Sequence, residues 1–97
     1  MMSKKLDALL KNYNSEDVAV IHDTTTVAFV TVDKNLSTED KLERAFMLTN
    51  TIDNAWWNNK NVSKMFDGKT CRSTSVGDMV LVGNEKYVCE DSGWRKL

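Results

Sequence analysis

Residues 37–52 read S-T-E-D-K-L-E-R-A-F-M-L-T-N-T-I, and this stretch sets the architecture. Leu42, Ala45, Phe46, Thr49 and Ile52 fall at i, i+3, i+4, i+7 and i+10, so a helical repeat gathers them into one apolar stripe. Ser37 stands where its hydroxyl can accept an orphan N–H of the first turn, with Asp40 three residues on. Glu39 and Asp40 place negative charge at the positive end of the helix dipole. The spacing predicts a helix over 38–52. Its apolar side must lie on another element, because packing rather than propensity holds most helices of this length.

Two pairs of strands supply that element. Residues 18–22 (V-A-V-I-H) and 27–32 (V-A-F-V-T-V) are rich in β-branched side chains. Residues 23–26 form a four-residue hairpin loop in this reading, which sets His22 opposite Val27 and Val20 opposite Phe29. Both faces of this pair are largely apolar, so it belongs in the middle of its sheet. Residues 79–82 and 87–90 make a second hairpin around Gly83-Asn84. Two registers are open. A loop over 83–86 pairs Val82 with Tyr87 and Val80 with Cys89, whereas a tighter loop puts Glu85 opposite Val82. The first is preferred, because it gathers Val80, Val82, Tyr87 and Cys89 on one face and leaves Met79, Leu81 and Val88 on the other.

Leu6, Leu9, Leu10 and Tyr13 recur at helical spacing and predict a short helix over 3–13. The order is then α-β-β-α-β-β. The fold class is α+β, an antiparallel sheet of two hairpins with helices packed on one face, built as a single domain over 1–97. Residues 53–60 read as an ordered loop anchored by Trp56 and Trp57. Residues 62–66 carry no clear pattern. Asp67-Gly68 and residues 91–93 are turns, and Trp94 closes the domain.

Composition bounds the function. In 97 residues, 41% apolar and 28% charged, one core is all the chain can build. The formal net charge is −1, with 4 basic and 7 acidic groups over 1–40 and 9 and 7 over 41–97, which is no polycation or polyanion. Lys4 and Lys5 are followed by no long apolar run, so a secretory signal is not expected, nor a membrane helix. That absence makes Cys71 and Cys89 reduced thiols in the expected reading. His22 is the only histidine and the two cysteines stand 18 apart, a spacing that fits no common zinc module. No metal or cofactor is expected.

The stretch Cys71-Arg72-Ser73-Thr74-Ser75-Val76-Gly77-Asp78 is the most distinctive. Arg72 with the hydroxyls of Ser73, Thr74 and Ser75 could cradle a phosphate. The same residue types also build turns, since Ser and Thr bond neighbouring backbone and Gly77-Asp78 leads into a strand. The pattern is neither a phosphate-binding P-loop nor a nucleophile elbow. Trp56 and Trp57 are neighbours, so an extended backbone would send one indole inward and the other to a partner or a nucleic-acid base. His22 reads as a half-buried structural histidine. Glu39, Asp40 and Glu43 lie on a helix face too wet for paired acid–base work. Lys60, Lys64, Lys69 and Arg72 form a basic stretch, the first place to look for nucleic-acid contact.

Taken in order, Leu42-Glu43-Arg44-Ala45-Phe46, Thr49-Asn50, Ile52-Asp53, Trp56-Trp57, Arg72 to Asp78 and the closing Tyr87-Val88-Cys89 with Ser92-Gly93-Trp94 resemble small accessory proteins of tailed bacteriophages and mobile elements. More distantly, the C-terminal part is similar to the YodL-like domain, whose motif runs S-x-S-D and ends in an aromatic after glycine, with Gly77 here where that domain has serine. The resemblance covers about residues 42–94. It implies a phage origin and action in the cytoplasm of an infected host cell, and it carries over no catalytic residue. The expected function is therefore a non-enzymatic accessory protein that binds and modulates a host protein. The candidate surface for a partner or ligand is Trp56, Trp57, Arg72, Ser73, Thr74, Ser75 and Asp78. The alternatives are a nucleic-acid binder and a small-ligand or nucleotide domain using the Ser/Thr-rich loop.

Overall fold

The computed structural model describes residues 14–50 and 55–97. The helix expected over 3–13 lies outside them. The described elements are β1 (Ser15–His22), β2 (Thr25–Asp33), α1 (Thr38–Leu48), a 3-10 turn (Trp56–Asn58), β3 (Val62–Lys64), β4 (Met79–Val82), β5 (Glu85–Glu90) and β6 (Gly93–Lys96). The strands form one antiparallel sheet in the order β3-β2-β1-β4-β5-β6. The α+β class stands. The two-hairpin sheet is corrected to six strands, with a single helix among the described residues.

Each added strand completes an edge. The unassigned residues beyond Asn61 pair with β2, Val62 against Val30 and Lys64 against Ala28. The segment read as a turn and a closing tryptophan continues past Gly93 to pair with β5, Trp94 against Cys89. Neither segment alternates apolar and polar residues over a useful length. Unpaired backbone groups on β2 and β5 select them.

Both hairpin loops are tighter than expected. Asp23 and Thr24 alone connect β1 to β2, with Asp23 in the left-handed region at φ 57. His22 therefore faces Thr25, and Val20 faces Ala28 rather than Phe29. The register shifts between Val20 and Ile21, which leaves Val27 as an extra residue, a bulge. In the second hairpin Gly83, at φ +59, and Asn84 form a two-residue turn, so Val82 faces Glu85 and Val80 faces Tyr87. This is the tighter of the two registers open to the sequence. The backbone freedom of Gly83 decides it, because a two-residue turn needs a residue at ease in that region. The displacement is two residues, an even number. Every side chain thus keeps its face, and Val80, Val82 and Cys89 are buried as the apolar pattern required.

Ladder pairing puts Val18, Val20, Val30, Val62 and Val80 on one face of the sheet, all buried. α1 lays Leu42 and Ala45, 2% and 0% exposed, across that face. The Ser37 hydroxyl accepts from the Asp40 N–H, as the cap reading requires. The helix ends at Leu48 rather than running to 52. The Thr49 hydroxyl bonds back to the Ala45 carbonyl and its N–H to the Phe46 carbonyl, a tightened last turn. Ile52 lies outside the described residues. No helix among the described residues is long and apolar enough to cross a membrane.

Because Leu42 seats the helix, Leu42→Ala is expected to lower the unfolding free energy by about 2–5 kcal/mol. Met47→Ala, on the outer face, should change it by less than about 0.5 kcal/mol. Urea titration of the two variants measures the difference.

Candidate functional site

The alternation of β1 sends Val18, Val20 and His22 to the same face, so His22 is aimed inward at the end of the strand, where α1 terminates. It is 5% exposed. Above it runs the loop 71–78. The Thr74 N–H donates to the Thr49 carbonyl, and the Trp56 indole N–H donates to the Arg72 carbonyl. Thr74 is fully buried. Its Oγ1 lies 2.9 Å from His22 Nε2 and 2.8 Å from Thr49 Oγ1. Cys71 Sγ lies 3.7 Å from the other ring nitrogen, Nδ1.

The second half of the loop closes on Asp78. Arg72 donates twice to its carboxylate, at 2.6 and 2.8 Å, and the Ser75 N–H donates at 2.9 Å. Arg72 also donates to the Ser73 carbonyl and the Ser75 hydroxyl. Asp78 is 4% exposed, while the Arg72 side chain is 49% exposed. Gly77, at φ +97, lets the chain reverse so that its N–H reaches the Cys89 carbonyl. The loop thus gathers Arg72 and Ser75 around the Asp78 carboxylate, and Thr74 turns inward to the same His22 nitrogen that Asp78 Oδ2 approaches at 3.6 Å. Its guanidinium is matched by a charge of its own, and an anion would have to displace Asp78 to use it. No buried side-chain nitrogen or oxygen among the described residues lacks a hydrogen-bond partner.

Trp56 and Trp57 do not lie on extended chain. They share the 3-10 turn, and their rings meet edge to face at 5.4 Å. Phe66 packs on both. Trp56 is 3% exposed and Trp57 half-buried. Lys64 lies over Phe66 and donates to the Gly68 carbonyl, so it and Arg72, two of the four basic residues in the stretch, are each engaged by groups within six residues.

Sequence reasoning missed a second feature beside α1. Phe46, Val76 and Trp94 form the apolar floor of a groove of about 260 Å³ rimmed by Glu43, Glu90 and Asp91. Val76 is 59% exposed at the tip of the 75–78 turn. Phe46 and Trp94 meet edge to face at 6.3 Å, and the Trp94 indole N–H donates to Glu43. Trp94 also walls an adjoining hollow of about 330 Å³ with Glu39, Leu42 and Tyr87. The chain matches no protein-family model, no curated protein and no solved structure. Function must therefore be argued from these two places.

Two signals for the buried cluster were present in the sequence. His22 is in phase with Val18 and Val20, and Thr49 occupies a stripe position of the helix. A polar residue in phase with an apolar set implies a buried partner. Sequence spacing does not name that partner, Thr74, 52 and 25 residues away.

The cluster ties stability to pH. Burial holds the His22 imidazole below its ordinary value of 6.5, with Asp78 and Asp23 opposing and Arg72 assisting. Burial pushes the Asp78 carboxyl up, but Arg72, the Ser75 N–H and His22 bring it below 3.8. Both groups bind protons more weakly in the folded chain. The stability they contribute is complete above the unfolded-state values and is lost as pH falls through the folded ones. The urea midpoint should fall as pH drops below about 6.5, the ordinary histidine value, and on through the lower folded-state value of His22. In His22→Gln that part of the slope should be absent, leaving the loss in the carboxylate range that comes from Asp78.

Proposed function

We propose that the chain is a non-enzymatic protein-binding module that seats a basic segment of a partner protein in the Trp94 groove. One observation carries this reading: a groove floor of half-buried Phe46 and Trp94 and exposed Val76, bordered by Glu43, Glu90 and Asp91. An indole face and carboxylates together favour a lysine or arginine side chain, whose stem covers the floor while its charge meets the rim. The rim keeps its negative sign although Arg95 pairs with Glu90 at 2.8 Å, because Glu43 and Asp91 remain. Cys89, which also lines the groove, reports that sign. Burial pushes its thiol up, and Asp78, Glu43 and Asp91 push it further. The resemblance of residues 42–94 to bacteriophage accessory proteins makes a host protein the partner in this reading.

The test is calorimetric titration with a peptide alternating arginine and leucine, against the same peptide carrying glutamate. The basic peptide should bind and the acidic one should not, and affinity should fall with added salt. Asp91→Lys, on an exposed turn, and Trp94→Ala should each weaken binding about tenfold or more, the range of a lost interface anchor. Equal binding of both peptides, or full affinity in Trp94→Ala, would exclude the groove.

A further inference from the structure

The hydrogen bonds around His22 run in one direction. The Thr49 hydroxyl has a single proton, and at 2.7 Å it gives that proton to the Ala45 carbonyl, which can only accept. Thr49 Oγ1 must then accept from Thr74 Oγ1. Thr74, its own proton spent, must accept from His22, so Nε2 carries the imidazole hydrogen. Nδ1 is left as a bare lone pair, and what stands in front of it is the Cys71 thiol. A helix carbonyl thus fixes, through two threonines, which ring nitrogen is a base.

We propose that Cys71 and His22 form a thiol–base pair that attacks small disulfides, making Cys71 a site of mixed-disulfide formation. The pairing satisfies the geometry of an activated nucleophile: sulfur on one ring nitrogen, a buried orienting hydroxyl on the other, and a carboxylate behind it, Asp78 Oδ2 at 3.6 Å from Nε2. Nδ1 takes the thiol proton as Sγ attacks one sulfur of the incoming disulfide. The disulfide's S–S bond breaks, a new one forms to Sγ, and the departing thiolate collects the proton from Nδ1. The transient imidazolium is favoured by Asp78 and Asp23 and opposed by Arg72. Cys71 is half-buried in a loop, whereas Cys89 is buried and has no histidine beside it. The charged groups facing the pair are Asp78, Arg72 and Asp23. Burial pushes the Cys71 thiol up, so the resting state is the protonated thiol that can donate to Nδ1. This site is independent of the groove reading.

The test exposes the intact protein to oxidised mercaptoethanol, a small uncharged disulfide, and follows the initial rate at each cysteine by peptide mass mapping. Cys71 should react at least tenfold faster than Cys89. An unassisted thiol well below its own pKa gains about tenfold in rate per pH unit, following its thiolate fraction. The assisted pair should instead gain less than threefold between pH 6.5 and 8. Thr49→Val removes the acceptor for Thr74, frees that hydroxyl to donate to Nε2 and releases the tautomer. The steep dependence should then return although His22 is still present. A tenfold gain per pH unit in the unaltered protein would overturn the proposal without any variant. So would a flat profile that survives in both Thr49→Val and His22→Gln.

Discussion

Thr74 is where three parts of the chain are pinned together. Its amide holds the end of α1 through the Thr49 carbonyl, and its hydroxyl lies between that helix and β1. Without it, the His22 Nε2–H would lose its acceptor and the Thr49 carbonyl its donor beside a valine-lined interior, a cost of about 1–3 kcal/mol apiece, while the Thr49 hydroxyl would keep the Ala45 carbonyl. The position of the loop 71–78 follows from this bond, since a chain tethered there must run over the strand end. The closure on Asp78 then sets its shape. The core beneath is built almost wholly from valine and small residues, stiff side chains that fill the sheet face but cannot reach outward. The loop and the tryptophan turn supply the lid that the valines lack.

Asp78 bounds the loop's chemistry. A buried carboxylate needs donors, and Arg72 and the Ser75 amide provide them from within six residues. Such a closed set makes a rigid turn. Its rigidity holds two flanking features in place: Val76 outward at the tip, and Cys71 inward against His22. The hydroxyl-rich motif that looked like a ligand cradle thus acts on its neighbours.

The parts of this fold that were legible in the sequence are those decided locally. The helix start at Ser37, the stripe through Leu42 and Ala45, and the strands around Val18–His22 and Met79–Val82 all carry their period in adjacent residues. The faces of the second hairpin were legible although its register was not, because a two-residue slip preserves alternation. β3 and β6 were not legible. Three residues, Val62–Lys64, and four, Gly93–Lys96, are too short for a period, and each forms only because a neighbouring strand has open backbone groups. The two tryptophans were legible as anchors but not as an edge-to-face pair, since one 3-10 turn separates the two outcomes.

The candidate sites divide along the same line. The groove combines α1, the 75–78 turn and the β5–β6 hairpin, and no linear window contains more than part of it. The His22 cluster is spread over still longer separations, yet it left a trace: a histidine and a threonine standing at positions where the pattern called for apolar side chains. Such violations of a local rule cost stability unless a distant group answers them, and they mark strained or functional places more often than errors. Here the answer to both is one threonine. Its single proton makes the chain of donors directional, and a directional chain ending on a bare nitrogen beside a thiol is more specific than burial of His22 alone would require. Had the cluster served packing only, valines at 49 and 74 and a leucine at 22 would have filled the same space without any polar side chain to satisfy.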